Sequence, residues 1–239
     1  MKGPYGFEMS ESCQSCKIRG NSLFCRMSPA ATKQFDAIKS SSVYPEGAVL
    51  FIEQQAPHGV FVLCQGEVKL SISSSEGKTL ILRIAKAGEI LGLTAVLGGR
   101  PYEVTAETLR PSQIAFVRRD DFMRFVAQFP EALQGIVNQL SANYRGACEQ
   151  LRTVALSPTV QGKLAKLLLD WSADADPAKG AARITVPLTH EEIAEFIGSS
   201  RETVTRALGE FKHKHVVTLK GSTLTIENRA ALENFVNAA

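Results

Sequence analysis

The sequence predicts an α+β fold in three parts: an N-terminal β-roll of the jelly-roll kind, a long helix, and a C-terminal winged helix-turn-helix. Short β-rich runs separated by glycine fill residues 43–116, and regularly spaced short strands are typical of jelly rolls, sandwiches and barrels. A helical heptad pattern then covers residues 133–154. Two capped helices and an alternating hairpin follow it near the C-terminus.

The composition indicates a globular protein of one or two domains. Of its 239 residues 44% are hydrophobic and 21% are charged, which excludes disorder as the main state. No apolar run approaches the roughly 18 residues that span a bilayer, and residues 1–10 lack the hydrophobic segment of a secretory signal. We therefore expect a cytoplasmic protein without a membrane partner. The net charge of +3 is too small to indicate nucleic-acid binding, so that prediction must rest on local motifs.

The chain has five cysteines, and three of them lie in the first 30 residues. In a reducing compartment cysteines are more often metal ligands, redox-active thiols or core residues than a disulfide framework. We expect residues 1–30 to form a cysteine-containing arm, which ends where Ser28 caps a short helix that starts at Pro29. The arm cysteines are Cys13, Cys16 and Cys25, and the other two are Cys64 and Cys148.

The expected sensory β-roll domain covers residues 31–129. Its β-rich runs are interrupted by glycine every 4 to 12 residues. Within it, Ser75–Lys78 (SEGK) has the composition of a hairpin turn between two strands.

The long helix, expected over residues 130–156, carries a heptad seam. Apolar side chains recur at alternating spacings of four and three residues, which is the 3.5-residue period of paired helices. A surface helix lying on its own β-domain could use the same residues, but its apolar face would be broader. We therefore expect a homodimer formed through this helix. The seam consists of Leu133, Val137, Leu140, Tyr144, Ala147, Leu151 and Val154.

The rest of the chain, residues 157–239, is the expected DNA-binding domain. Ser157-Pro158 ends the seam and begins another helix, and residues 173–182 (ADADPAKGAA) have the composition of a polar loop. Further on, Val216–Ile226 alternates as two strands around Lys-Gly-Ser, which predicts a wing, and Asn228 caps a last helix.

Between the loop and the wing, two helices follow each other closely. Thr189–Glu192 and Ser199–Glu202 both match a capping box, and Gly198 between them ends the first helix. Two helices joined by a tight glycine turn are typical of a helix-turn-helix.

The second of these helices exposes charged side chains at its start. Arg201, Glu202, Thr205 and Arg206 share one side of the helix. Arginine can grip O6 and N7 of guanine as a fork, and a carboxylate can accept from N4 of cytosine. The alternative is an exposed helix start in which Glu202 forms an ion pair with Arg206 and no DNA is bound. Against that alternative, residues 201–220 carry five basic side chains and only two acidic ones. The sequence therefore predicts a recognition helix for double-stranded DNA. Ser200, Lys212 and Lys220 complete the expected DNA-binding set.

No catalytic site is expected. The four histidines do not form a metal cluster on strands, because His190, His213 and His215 lie in the C-terminal domain. The sequence also lacks a Ser-His-Asp order, a phosphate loop and paired catalytic carboxylates. An enzyme built on the β-roll is thus disfavoured.

The segment LTHEEIAEFIGSSRETVTRALGEF resembles the helix-turn-helix of the CRP/FNR superfamily of bacterial transcription regulators. Together with PEGAVLFIEQ, GEVKLSISSSEGKTLILRIAKAGEILG and the long helix, the resemblance covers nearly the whole chain. Its Ser-Arg-Glu-Thr-Val-Thr-Arg run is similar to the recognition helix of the cyclic-AMP receptor branch. The resemblance implies a homodimer whose Arg201, Glu202 and Arg206 read TGTGA-like half-sites in an inverted repeat. It also implies contact with RNA polymerase, for which residues 173–182 are the expected surface.

The resemblance implies an effector site in the β-roll, where this sequence departs from the family pattern. Members that bind cyclic nucleotides carry a Gly-Glu pair for the ribose and an Arg-Ser pair for the cyclic phosphate. The matching positions here are Gly92-Leu93 and Glu103-Val104. A leucine cannot bind the ribose hydroxyl and a carboxylate repels phosphate, while Arg100 would reach a phosphate only if the loop shifted. We therefore do not expect a cyclic nucleotide; another small ligand in the β-roll stays open.

The cysteine arm resembles that of the FNR branch, whose thiolates hold an oxygen-sensitive [4Fe-4S] cluster. This resemblance implies that Cys13, Cys16 and Cys25 are ligands and that the protein senses oxygen or redox state. A cluster normally needs four ligands. The family's distal cysteine aligns with Ala115 here, which leaves Cys148 or Cys64 as the fourth ligand. Zinc, a metal-free Cys13/Cys16 thiol switch and a purely structural arm are the alternatives.

Overall fold

The computed structural model describes residues 4–6, 12–16, 26–173, 182–186, 188–221 and 223–237. The chain divides into two compact units. The first comprises residues 1–74 and 82–146, and the second comprises residues 75–81 and 147–239. The units thus divide inside the long helix, whereas the sequence pattern places a boundary near residue 157.

The first unit contains the expected β-roll, except for residues 79–81 of β5, which belong to the second unit. Its strands are β1 (Lys39–Tyr44), β2 (Val49–Phe51), β3 (Gly59–Gln65), β4 (Glu67–Ser73), β5 (Thr79–Lys86), β6 (Ile90–Leu91), β7 (Thr105–Thr108) and β8 (Ser112–Arg118). They form two four-stranded sheets with the orders β1-β8-β3-β6 and β2-β7-β4-β5. The antiparallel β1–β8 pair joins the first and the last strand of the roll, as a jelly roll requires. The predicted turn between β4 and β5 is confirmed, with Gly77 at a φ of 81°.

Helices close the roll and bury an apolar cluster against it. They are α1 (Pro29–Ile38), α2 (Leu93–Gly98), α3 (Arg119–Gln128) and α4 (Pro130–Leu151). Ser28 caps α1 as expected, because its Oγ accepts a hydrogen bond of 3.3 Å from Ala31 N. Phe35, Phe125 and Ile136 belong to one buried cluster, so α1, α3 and α4 pack together on the roll.

The long helix has the extent that the sequence predicts. α4 continues from Leu151 into a π-helical segment, Arg152–Leu156, and the chain becomes extended at Ser157. No described helix is long and apolar enough to cross a membrane.

The second unit carries the helix-turn-helix. Its elements are α5 (Val160–Trp171), β9 (Ala182–Thr185), α6 (His190–Ile197), α7 (Arg201–His213), β10 (Val217–Lys220), β11 (Thr223–Ile226) and α8 (Arg229–Asn237). The wing hairpin and the Asn228 cap are confirmed, since Asn228 Oδ1 accepts from Ala231 N at 3.0 Å.

α5 begins directly after Ser157-Pro158, as predicted: Thr159 is its N-cap and accepts a hydrogen bond of 3.0 Å from Gly162 N. One detail of the second unit differs from the sequence prediction. The wing has a third strand, since β9 pairs with β11. The sequence predicted only two, because β9 comes from a distant part of the chain and no turn marks its pairing with β11.

Candidate nucleic-acid interface

The first helix of the pair, α6, begins at a capping box and ends at a glycine. The predicted capping box is confirmed: Thr189 Oγ1 accepts from Glu192 N at 3.2 Å, and Glu192 Oε2 accepts from Thr189 N at 2.9 Å. The helix ends at Gly198 with a φ of 63°, a left-handed conformation that favours glycine. A Cβ at Gly198 would also lie 3.0 Å from Val154 Cγ1. The tight turn between α6 and α7 therefore depends on this glycine.

The second helix, α7, has a different cap from the one predicted. Ser200 is the N-cap, and its Oγ accepts from Thr203 N at 3.3 Å. The capping box over Ser199–Glu202 is wrong, because Thr203 occupies the third helical position and has no carboxylate to reach back. Glu202 therefore does not cap the helix by accepting from the N-cap backbone N–H.

Glu202 stays ionised at the start of α7. A hydrogen bond from its own backbone N–H lowers its pKa first, followed by the Ser200 hydroxyl and the charges of Arg201 and Arg206. Its carboxylate is thus kept as a hydrogen-bond acceptor in a basic setting.

The exposed side of α7 is the one that the sequence predicts. Arg201, Glu202, Thr205 and Arg206 are exposed, whereas Val204, Ala207, Leu208 and Phe211 are buried. Lys212 and Lys220 are exposed as well. The structure therefore gathers the expected base-reading side chains on one face, and their contact with DNA stays a prediction.

Thr205 makes contacts that the sequence did not indicate. Its Oγ1 donates to Arg201 O at 2.9 Å, and His190 Nδ1 lies 3.0 Å from the same oxygen. His190 is the first residue of α6. Sequence reasoning missed it because the contact joins two helices, and no periodic pattern reports such a pair.

Part of the basic charge on α7 is neutralised locally. Lys214 Nζ lies 2.7 Å from Glu210 Oε1, and the hydrogen bonds from Lys214 and Gln161 lower the pKa of Glu210. The other lysine and arginine side chains of residues 201–220 lie on the exposed side of α7 and in the wing. They are Arg201, Arg206, Lys212 and Lys220.

Two family models match this chain. A Crp-like helix-turn-helix domain matches residues 162–235, and a cyclic nucleotide-binding domain matches residues 42–129. The chain belongs to the CRP/FNR family. It is therefore a DNA-binding transcription regulator, and members of this family are not enzymes and typically act as dimers.

Individual CRP/FNR proteins are similar over most of their length. The CRP-like cAMP-activated global transcriptional regulator of Mycobacterium tuberculosis is 28% identical over 204 residues, 85% of this chain and 89% of the relative. The nitrogen fixation regulation protein FixK of Bradyrhizobium diazoefficiens is 21% identical over 222 residues, 92% of each chain.

Solved CRP/FNR structures show the same fold. FixK2 from Bradyrhizobium japonicum has a TM-score of 0.73 at 19% identity, covering 84% of this chain and 99% of that one. The c-di-GMP responsive global regulator CLP of Xanthomonas campestris also has a TM-score of 0.73 at 19% identity, covering 83% and 99%.

In the effector region of this CRP/FNR roll, an aromatic side chain lies beside Gly92. Tyr102 is buried, donates its hydroxyl to Gly59 O at 2.7 Å and stacks on Phe51 with ring centroids 4.1 Å apart. A Cβ at Gly92 would lie 2.7 Å from the Tyr102 ring. Leu93 is buried, and Glu103 is exposed. The expectation that no cyclic nucleotide binds here rests on Leu93 and Glu103, and it stays a prediction.

In the cysteine arm, Cys13 is tied to α1 and β1. Its backbone N–H donates to both carboxylate oxygens of Asp36, at 2.9 and 3.1 Å. Lys39 Nζ lies 2.7 Å from Asp36 Oδ1 and donates to Cys13 Sγ at 3.0 Å. Burial raises the pKa of the Cys13 thiol to about 11, although Lys39 acts in the opposite direction.

The other cysteines lie on different parts of the chain. Cys16 is half-buried, and Cys25 lies outside the described residues. Cys64, on β3, packs against the same apolar cluster as Cys13 and donates to Val62 O at 3.7 Å. Cys148 lies on α4 in the second unit. No group of three or more histidine, cysteine or acidic side chains able to hold a metal forms within the described ranges. The cluster and its ligands stay a prediction.

The predicted dimer seam is largely exposed. Leu133, Val137, Tyr144 and Leu151 are 47%, 47%, 73% and 64% exposed. A different face of α4, with Ala132, Gly135 and Ile136, is buried. The alternative in which the seam covers its own β-domain is therefore wrong for these exposed residues. Within the seam, Ala147 is exposed, Val154 is half-buried, and Leu140 is half-buried against the cluster beneath α4.

Proposed function

We propose that this regulator binds, as a homodimer, an inverted repeat with TGTGA-like half-sites. The observation that carries the proposal is the exposed face of α7, where Arg201, Glu202 and Arg206 lie within the first two turns. Two guanidinium forks suit guanine, and an ionised carboxylate suits cytosine. This combination fits the G·C pairs of such a half-site.

The seam of α4 supports the homodimer. Four large apolar side chains exposed along one helix are typical of a surface that a second helix covers. A two-fold dimer would place two copies of α7 about one helical turn of DNA apart, roughly 34 Å, so that both enter the major groove on one side of the duplex.

Binding-site selection from random duplexes tests this proposal. We expect an inverted repeat whose half-sites are centred about 10 base pairs apart and each contain two conserved guanines. Recovery of a single unrepeated site, or of no motif, would contradict it. Running the selection with and without oxygen also shows whether the signal alters DNA binding.

For the signal, we propose that the N-terminal arm senses oxygen or redox state. Cys13, Cys16 and Cys25 would hold a [4Fe-4S] cluster with Cys148 or Cys64 as the fourth ligand, and a bound cluster supplies oxygen-sensitive redox chemistry. Asp36 and Lys39 would keep the Cys13 segment on the roll. The competing proposal is a metal-free Cys13/Cys16 switch, in which the two thiols oxidise to a disulfide.

Iron and acid-labile sulfide analysis after anaerobic purification separates the two proposals. We expect both elements to be present and to be lost from a Cys16→Ser variant. Cys148→Ser and Cys64→Ser identify the fourth ligand, because only the variant that lacks this ligand should also lose iron. A colourless protein without iron or sulfide, whose Cys13 and Cys16 oxidise to a disulfide, would contradict the cluster and support the thiol switch.

We also propose contact with RNA polymerase through residues 173–182, most of which lie outside the described residues. Variants of this loop should keep DNA binding and lose the regulator's effect on transcription in a purified system. Loss of DNA binding by the same variants would contradict the assignment.

A further inference from the structure

We propose that Thr205 recognises the methyl group of a thymine, and that His190 is the positioning residue that holds Thr205 in the required rotamer. The inference rests on the proposed function, because it assumes that α7 enters the major groove. It is carried by the hydrogen bonds around a single hydroxyl group.

The Thr205 hydroxyl has its only hydrogen engaged inside the helix. Oγ1 donates to Arg201 O, one turn earlier, at 2.9 Å. Such a bond back to the preceding turn is common for threonine in helices. A hydroxyl has one hydrogen to give, so Thr205 cannot donate a second hydrogen bond to a base while this one is kept.

The second contact of the hydroxyl then has a defined direction. His190 Nδ1 lies 3.0 Å from Thr205 Oγ1. Since the hydroxyl hydrogen is directed to Arg201, this contact is a hydrogen bond only if His190 donates. In the proposed arrangement His190 Nδ1 is the donor, and Thr205 Oγ1 accepts this hydrogen bond between the two helices.

These two bonds decide which part of Thr205 is left for DNA. Threonine in a helix divides between two χ1 rotamers, and the bonds to Arg201 and His190 select the one in which Oγ1 points back along the helix. The Cγ2 methyl is then the group that Thr205, an exposed residue, can offer to a base. Thymine is the base with a methyl group on its major-groove edge, and apolar contact with it is a recognised mode of readout.

A uracil scan of the selected operator tests the proposal on the full-length protein. Replacing one thymine at a time by deoxyuridine removes only the C5 methyl group. For the wild-type protein, we expect one thymine in each half-site to lose about fourfold in affinity, the size expected for one methyl group removed from an apolar contact. Other thymines should be unaffected.

Variants of Thr205 separate its methyl from its hydroxyl. Thr205→Ser keeps the hydroxyl, so it should bind thymine and uracil equally at that position. Thr205→Val keeps a methyl group, so it should still prefer thymine. A strong loss of affinity in Thr205→Val with none in Thr205→Ser would show that the hydroxyl reads the base, and it would overturn the proposal.

The role of His190 is tested by its own variants. His190→Ala should reduce the preference for thymine over uracil at this position, while His190→Asn, whose amide can donate, should restore much of it. Glu191→Ala is the matched control, since Glu191 is the next, exposed residue of α6. An unchanged thymine preference in His190→Ala would remove His190 from the proposal.

The scan also distinguishes failure of this inference from failure of the proposed function. If selection recovers an inverted repeat but no thymine position separates the wild type from Thr205→Ser, only the methyl readout is overturned. If selection recovers no motif, the proposed function fails and the methyl readout fails with it.

Discussion

The side-chain amide of Gln139 holds the backbone of Ile90 through two hydrogen bonds. Ile90 N donates to Gln139 Oε1 at 2.9 Å, and Gln139 Nε2 donates to Ile90 O at 2.7 Å. Ile90 lies in β6, at the edge of its sheet, so no further described strand takes these groups. α4 is thereby joined to a strand that leads directly to Gly92 in the effector region.

Replacing Gln139 should destabilise the first unit. Gln139→Ala leaves the outward N–H and C=O of Ile90 without protein partners, and we expect a loss of about 1 to 3 kcal/mol. Urea unfolding followed by circular dichroism measures it. Gln134→Ala is the control, because Gln134 is exposed on the same helix and bonds only Asn138. Equal losses of unfolding free energy in the two variants would show that the Gln139–Ile90 hydrogen bonds do not contribute to stability.

Arg206 and Lys212 should differ in the kind of DNA binding they support. Arg206→Ala should cost about 1 to 3 kcal/mol on the selected site and relax the preference at one guanine, because a fork to guanine is lost. Lys212→Ala should weaken binding to all sequences alike, as a phosphate contact does. Competition binding with specific and random duplexes measures both effects. Equal losses on both duplexes for Arg206→Ala would contradict its assignment.

The seam of α4 should control the oligomeric state. Tyr144→Glu places a charge in the centre of the apolar stripe, so we expect the dimer to dissociate to monomers, as measured by analytical ultracentrifugation. Ala142→Glu is the matched control, because it is exposed and two residues along a helix place side chains on nearly opposite sides. A Tyr144→Glu variant that sediments as a dimer would move the interface elsewhere.

The Asp36 carboxylate should make stability depend on pH in the acid range. Partial burial pushes its pKa upwards, but hydrogen bonds from Lys39, Cys13 and Ser12 outweigh this and lower the pKa from 3.8 to about 2. A group whose folded pKa is depressed contributes stability above its unfolded pKa, and that contribution is lost as the pH falls towards the folded value.

Asp36→Asn should therefore unfold at lower urea concentration than the wild type at pH 7. The difference should stay constant down to the unfolded pKa of 3.8 and narrow as the pH falls from there to about 2. Urea titrations of the metal-free protein at several pH values test this. A difference that grows on acidification has the wrong sign and would contradict the assigned role of Asp36.

Local signals predicted much of this fold. The caps at Ser28 and Thr189, the left-handed Gly198 and the alternating strands of the wing all act within a few residues, so the sequence shows them directly. The cap of α7 shows the limit of such signals. Ser199 and Ser200 have the same side chain, and only the backbone conformation decides that Ser200 accepts from Thr203 N.

The sequence alone determined the order of the elements, the recognition face of α7 and the apolar period of α4, because helix and strand periodicity assign side chains to faces. Only the tertiary structure decided which face of α4 stays exposed, that Lys39 meets Cys13, that Gln139 meets Ile90 and that His190 meets Thr205. Each of these pairs joins residues on different elements. Their contacts arise from packing, which leaves no periodic trace in the sequence.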